Sequence, residues 1–133
     1  MSQRYLLDAN ALSDIIRNPR GRVAMRAREV WSSTCTSIVA AAELRYGVMK
    51  GGSDQVKSRV EDLLDSLMVL PFESPADRRY GELRADLEKR GRPISANDML
   101  IAAHALAEDC VVVTDNVREF ERVPDLKIEN WQR

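Results

Sequence analysis

Cys110-Val111-Val112-Val113-Thr114-Asp115 sets three consecutive valines against a closing acid. An apolar β-branched run with no polar alternation is what a strand buried on both faces requires, and such strands belong to parallel sheets covered by helices. Upstream, Ser95-Ala96-Asn97-Asp98 opens a helical stretch reaching Ala107, and downstream a short helical turn from Val117 to Phe120 precedes a last strand at Leu126-Lys127-Ile128. The N-terminal half repeats the alternation. Tyr5-Leu6-Leu7 reads as a strand ending at Asp8, followed by a helix with Leu12, Ile15 and Ile16 on one face. Asn18-Pro19-Arg20-Gly21 breaks the chain, and Val23, Ala27 and Val30 form a second amphipathic stripe. Trp31 to Thr36 predicts a second strand, with Ser37 capping a helix from Ile38 to about Lys50. Ser53 or Asp54 caps the next helix, whose stripe Val56, Val60, Leu63, Leu64 and Leu67 is core. Met68-Val69-Leu70 is a third strand; Ser74-Pro75 predicts an N-cap with proline in the first helical position, and Gly91 closes that helix. Strands alternating with helices give an α/β fold, a mostly parallel sheet with helices on both faces.

Composition sets the bounds. At 133 residues the chain forms one domain, residues 1–133, large enough for a core without disulfide or metal staples. Hydrophobic residues at 44% and charged residues at 31% exclude disorder as the main state. No apolar run spans a bilayer and no signal-peptide pattern follows Met1, so a cytoplasmic protein is expected. Cys35 and Cys110 stand in no metal-binding or redox spacing and read as buried thiols. The net charge of −1 excludes a global field for polyanions. Arg17, Arg20, Arg22, Arg26 and Arg28 nevertheless fall in one stretch without an acid. Guanidinium suits phosphate, but a solvated helix face explains the cluster as well and is the plainer reading.

In α/β sheets ligands gather outside the carboxyl ends of the strands, where strand order reverses. Asp8 and Asp115 each follow a strand directly, Asp98 lies in the first turn of a helix, and Glu43 sits six residues into the helix after the second strand, roughly 9 Å from its start. Four acids can therefore converge. At an effective dielectric near ~20, two like charges at 4 Å cost about 4 kcal/mol, so such a cluster takes up protons or binds a cation. Oxygen-only ligands suit Mg²⁺ or Mn²⁺ better than zinc, and an ion of that kind serves phosphodiester hydrolysis. Each acid also has an ordinary role open to it. Asp98, three residues after Ser95, can complete a capping box, and Asp8 and Asp115 can begin turns. Glu43 interrupts an apolar stretch and needs a partner, with Lys50 or a distant arginine available.

Leu6-Leu7-Asp8-Ala9-Asn10, Ala41-Ala42-Glu43-Leu44-Arg45-Tyr46-Gly47, Ile94-Ser95-Ala96-Asn97-Asp98-Met99-Leu100-Ile101-Ala102-Ala103-His104-Ala105 and Val113-Thr114-Asp115-Asn116-Val117-Arg118-Glu119-Phe120 together resemble, in order, the four motifs of the PIN-domain ribonucleases, and among them the VapC toxins of toxin–antitoxin pairs. The resemblance runs from Tyr5 to Trp131. It implies a three-layer fold with a five-stranded parallel sheet and a Mg²⁺- or Mn²⁺-dependent endoribonuclease cutting structured RNA, often transfer RNA. Asp8 and Asp98 take the metal-ligand positions, and Glu43 and Asp115 complete the acidic pocket. Asn10, Asn97, Thr114, Asn116 and Glu119 become candidates for supporting contacts. A homodimer is implied, as is a VapB-type antitoxin whose tail enters the active-site groove. Where the family commonly carries Thr or Ser after the first aspartate, this chain has Ala9, which removes a hydroxyl beside the metal position.

Two other readings compete: a non-catalytic RNA- or antitoxin-binding module of the same fold, and a receiver-type signalling domain. The second wants an adjacent acid pair after the first strand and a lysine after a late one, where this chain offers Asp8 alone and Thr114-Asp115. Asn10 replaces the second acid of a D-x-D phosphatase, and no phosphate-cradling glycine loop is present. The single histidine, His104, reads as a packed or surface residue, Trp31 and Trp131 as core or dimer contacts, and Tyr46 as a packing residue.

Overall fold

The structure is a computed structural model describing residues 3–132. Five strands, β1 (Arg4–Leu7), β2 (Thr34–Ser37), β3 (Met68–Leu70), β4 (Cys110–Val113) and β5 (Ile128–Glu129), form one sheet in the order β3-β2-β1-β4-β5, every pairing parallel. Seven α-helices accompany them among the described residues: α1 (Ala9–Arg17), α2 (Arg22–Glu29), α3 (Ile38–Met49), α4 (Asp54–Ser66), α5 (Ala76–Lys89), α6 (Ala96–Glu108) and α7 (Val117–Phe120). All four residues of β2 and all four of β4 are buried. Successive side chains point to opposite faces, so both faces of the sheet are covered at these strands, as the valine run predicts.

The register places Leu7 opposite both Thr36 and Val113, so β1, β2 and β4 end level with one another. The chain builds outward from β1 to β2 and β3, then returns to add β4 and β5 on the other side. Strand order therefore reverses between β1 and β4, the position where α/β sheets collect ligands. Helices that follow a strand start at this carboxyl edge, and a helix that leads back into a parallel strand starts there too. The first turns of α1, α3 and α6 consequently share one end of the sheet. Leu6, Leu7, Leu12, Ile101, Val112, Val113 and Phe120 make the centre of the core, each at most 1% exposed.

Several local expectations need correction. The second strand begins only at Thr34, because Trp31–Ser33 forms a 3-10 turn whose closing bond runs from the Ser33 N–H to the Val30 carbonyl. Pro75, not Ser74, occupies the N-cap of α5, and Ala76 is the first helical residue. The last strand sits at Ile128–Glu129 rather than Leu126–Ile128; its ladder with β4 begins where the Lys127 carbonyl accepts from the Val112 N–H at 2.9 Å. Ser53 rather than Asp54 caps α4, accepting from the Val56 N–H at 3.2 Å. Gly91 closes α5 as expected, at φ +68, a conformation that costs a side-chain-bearing residue strain. Tyr46 does not pack inward: it is 67% exposed, with the Lys50 ammonium 5.4 Å from its ring centre. Of the two readings open to Trp31, the core one falls, since its side chain is exposed, whereas Trp131 is buried edge-on against Tyr5 at 5.3 Å. His104 is buried, its Nδ1 2.8 Å from the Ser37 Oγ that also caps α3, and the ring stands against Phe72.

Leu6 lies on the central strand between β2 and β4 and is fully buried. Leu6→Ala is expected to lower unfolding free energy by about 2–5 kcal/mol, read as a shift of the urea midpoint with unchanged slope. A loss under ~1 kcal/mol would place Leu6 outside the packed centre.

Candidate active site

Asp8 is the N-cap of α1 and only 2% exposed. Its backbone N–H donates to the Val113 carbonyl at 3.1 Å, so the ladder that joins β1 to β4 fixes its position, and one carboxylate oxygen accepts from the Ala11 N–H at 2.8 Å. The Thr114 hydroxyl also donates to it. The turn role and the site role therefore fall on one residue: there is no loop after β1, and Asp8 turns strand directly into helix. Burial pushes its carboxyl up to about 6; the bonds from Thr114 and Ala11 work against that, while the charges of Asp115 and Glu43 add to it.

Asp98 resolves differently from its capping-box alternative. Ser95 does cap α6, its hydroxyl accepting from the Asp98 N–H at 3.3 Å. The reciprocal half of such a box would be an Asp98 carboxylate bonded to the Ser95 N–H, but that N–H donates to Glu119 from α7. The Asp98 carboxylate therefore does not close the box; it meets the Ser95 hydroxyl and accepts from Asn116 Nδ2 at 3.3 Å. Burial, then the neighbouring Glu119, and the charge of Asp8 raise it to about 7, against the opposing bond to Ser95. Glu119 goes the other way. Its burial is outweighed by the Ser95 N–H and by Asn116, whose Nδ2 donates to it at 2.7 Å, and its carboxyl is held below the ordinary value.

Glu43 on α3 is half-buried, with Oε1 buried and without a hydrogen-bond partner. Burial raises its carboxyl and a bond from Asn97 opposes the shift. Neither partner offered by the sequence serves it: Lys50 lies over Tyr46, and among the described residues no arginine forms an ion pair with Glu43, the adjacent Arg45 pairing instead with Glu61 of α4. Asp115 is exposed, and close enough for its charge to act on Asp8. The charges of Glu43 and Asp115 thus reach Asp8, and those of Asp8 and Glu119 reach Asp98, which places the four acids singled out in the sequence within electrostatic range around Asp8. Glu119, which the resemblance offers only as a supporting contact, has no strand-end signal of its own; its place one turn beyond Asn116, on a helix facing Ser95, sets it beside Asp98. Asn10 is exposed and lines the adjoining groove.

Among the described residues, none of the ion pairs uses Asp8, Glu43, Asp98 or Asp115. Nor do three acid, histidine or cysteine side chains close tightly enough to cage an ion unaided. Mg²⁺ is held by one or two carboxylates with water completing the shell, so buried, uncompensated acids beside an orphaned Glu43 oxygen fit it, and a closed cage is not needed.

The PIN domain family matches residues 5–126. Ribonuclease VapC2 of Rickettsia felis is 43% identical over 98 residues, 73% of each protein. The tRNA(fMet)-specific endonuclease VapC of Salmonella typhimurium is 35% identical over 129 residues, 96% of this chain and 98% of the relative. Among solved structures, DNA-bound VapBC from Salmonella typhimurium aligns with a TM-score of 0.91 at 34% identity, covering 98% of this chain and 99% of that one. VapBC2 from Rickettsia felis bound to a promoter fragment gives 0.90 at 35%, with coverages of 97% and 99%.

In metal-free protein the folded state binds more protons than the unfolded chain between pH 4 and about 7, because Asp8 and Asp98 are raised above 3.8. Their contribution is fully present below about pH 4 and lost as pH rises through about 6 to 7. Asp8→Asn keeps a cap acceptor for the Ala11 N–H and removes the charge, so with chelator at about pH 7.5 its melting temperature should equal or exceed that of the wild type. Asp8→Ala loses the cap and should cost about 0.5–2 kcal/mol. Equal destabilisation by both would mean that repulsion among these acids is unimportant.

Proposed function

The chain belongs to the PIN-domain family and to its VapC branch, and on that premise we propose that residues 1–133 form a single-domain toxin of a toxin–antitoxin pair, a divalent-metal-dependent endoribonuclease acting on structured RNA in the cytoplasm. The observation that carries this reading is the uncompensated burial of Asp8 and Asp98 at the strand-order reversal, their carboxyls pushed up to about 6 and about 7. Transfer RNA is the proposed substrate, as in the Salmonella relative's name.

Asp8 and Asp98 would hold Mg²⁺ or Mn²⁺, with Glu43 and Asp115 completing the pocket. When bound, the ion supplies charge neutralisation on the leaving oxygen and a water of lowered pKa. The chain's own part is orientation. Thr114 and the Ala11 N–H hold the Asp8 carboxylate, while Asn116 spans Asp98 and Glu119. Asn97 steadies one Glu43 oxygen and leaves Oε1 able to accept a hydrogen bond from an attacking water. Ala9 offers no hydroxyl to this set, so Thr114 is the hydroxyl nearest the Asp8 carboxylate in it.

A groove of about 680 Å³ runs from Asn10 and Glu43 between α1, α3 and the start of α4, with Leu44, Val48, Val56 and Val60 among its walls. An apolar antitoxin segment fits it, and partnership with a VapB-type protein accords with the VapBC complexes to which the fold aligns. A homodimer accords with the exposure of Ile38, Met49 and Met68. No helix is long and apolar enough to cross a membrane among the described residues.

Purified protein should cut bulk transfer RNA with Mg²⁺ or Mn²⁺ and stop on chelation, and Asp8→Asn and Asp98→Asn should each lose about 10²-fold or more. The rise in melting temperature on adding Mg²⁺ should grow from about pH 5.5 to about 7.5, as the two acids give up protons to the ion, and be absent in Asp98→Asn. Cleavage by Asp98→Asn at the wild-type rate would overturn the assignment.

A further inference from the structure

The turn between α1 and α2 carries charge that the acidic site does not use. Arg17, Arg20 and Arg22 line one open hollow of about 520 Å³, with Asn18 and Gly21 between them and Gln132 opposite. Among the described residues none of the three meets a carboxylate partner; Arg22 donates only to the Gln132 carbonyl, at 3.4 Å. Their neighbours are engaged. Arg26 pairs with Glu29 at 3.1 Å, and Arg28 donates to the Pro19 carbonyl. Asp14 lies in the wall but is buried at 9% exposure, and its Oδ1 accepts from Asn18 Nδ2 at 3.0 Å and from Gln132 Nε2 at 3.5 Å. The face turned to solvent is therefore cationic.

A merely solvated helix face does not account for it. Arg17 ends α1, where the helix dipole welcomes a cation, but Arg22 opens α2, where it does not, and the first turn of α2 contains no acid to balance it. The hollow also shares a wall residue with the groove on the catalytic side. Arg17 lines it and lines the groove that reaches Asn10 and Glu43, and α1, nine residues long, separates Arg17 from Asp8 by roughly 13 Å at 1.5 Å per residue. An acidic pocket in a chain of net charge −1 repels the backbone it must receive, so an RNA chain needs cationic contacts beyond the site, and a guanidinium fork matches phosphate oxygens.

We propose that Arg17, Arg20 and Arg22 form a phosphate-binding exosite that grips substrate RNA along α1, a few nucleotides from the bond presented to the acids. The inference rests on the nuclease reading above and adds to it where the substrate is held.

The test measures binding apart from cleavage, with chelator present, using fluorescein-labelled bulk transfer RNA and the full chain. R17Q/R20Q/R22Q should weaken the dissociation constant by about tenfold or more and make the slope of log affinity against log salt shallower by about 2, close to ~0.7 for each phosphate left without its guanidinium. R17K/R20K/R22K, which keeps the charge, should recover most of the affinity, and R78Q/R79Q on the exposed face of α5 should bind as the wild type does. With metal added, the deficit of R17Q/R20Q/R22Q should appear in KM rather than kcat. Unchanged affinity and salt slope in R17Q/R20Q/R22Q overturn the exosite, as does an equal deficit in R78Q/R79Q. If the arginine variant binds more weakly as expected while the wild type cleaves no RNA with Mg²⁺ or Mn²⁺, the exosite stands and the nuclease reading falls.

Discussion

The constraint on which the rest depends is that the backbone, not the side chains, brings the acids together. β1 and β4 come from opposite ends of the chain and lie side by side in parallel register, and the Asp8 N–H is bonded to the last carbonyl of β4. Asp8 cannot withdraw from Asp115 without breaking the ladder at the centre of the sheet. α6 must begin at the same edge because it returns the chain to the start of β4, which delivers Asp98. Carboxylates fixed in this way, buried and without a cationic side chain, have two recourses: to keep protons or to accept an external cation. The raised carboxyls of Asp8 and Asp98 favour the first recourse in the metal-free molecule at mildly acidic pH, and the second is what catalysis at neutral pH would use.

Asp98 and Glu119 show how donors, rather than burial alone, divide roles between neighbouring acids. The Ser95 N–H and the stronger of the two Asn116 contacts go to Glu119, which stays ionised and ties the start of α7 to the start of α6. Asp98, left with the longer Asn116 contact and a charged neighbour, has its carboxyl raised. The acid with its hydrogen bonds satisfied is structural, and the one left wanting is available to an ion. The same reasoning separates Glu43, with its unpartnered oxygen, from the glutamates paired on the surface.

Most of the fold is legible in the sequence because its signals are local and agree with one another. The valine run of β4, the Leu6-Leu7 pair before Asp8, the serine caps at Ser37 and Ser95 and the Gly91 stop each act within a few residues. Legibility fails where a neighbour far along the chain decides. β5 is set by pairing to β4, not by its own apolar content, and Ser74 loses the cap although its residue type suits it. The four acids can be named from their places after strands and at a helix start. Whether Asp98 is a cap or a site residue cannot be read there, because the answer lies in Glu119 taking the Ser95 N–H across a sequence separation of 24. Tyr46 and Trp31 depart from the general preference of aromatic rings for interiors, a preference that says nothing about which face of a helix or turn is covered.

Net charge conceals the feature that most distinguishes this surface. A sum of −1 is compatible with charges evenly mixed, yet the molecule segregates them along α1, with Asp8 at one end and Arg17 at the other. At those two places folding and function make the same demand, because an acid at a helix N-terminus and a base at its C-terminus both complement the dipole. Neither residue alone can therefore reveal which demand placed it. Arg22 can, since it stands at the end of α2 where the dipole opposes a cation and meets no acid that would offset the cost. A charge kept where local stability disfavours it points to a partner outside the fold, and beside a groove that leads to a pocket of carboxylates the partner whose chemistry fits is a phosphate chain.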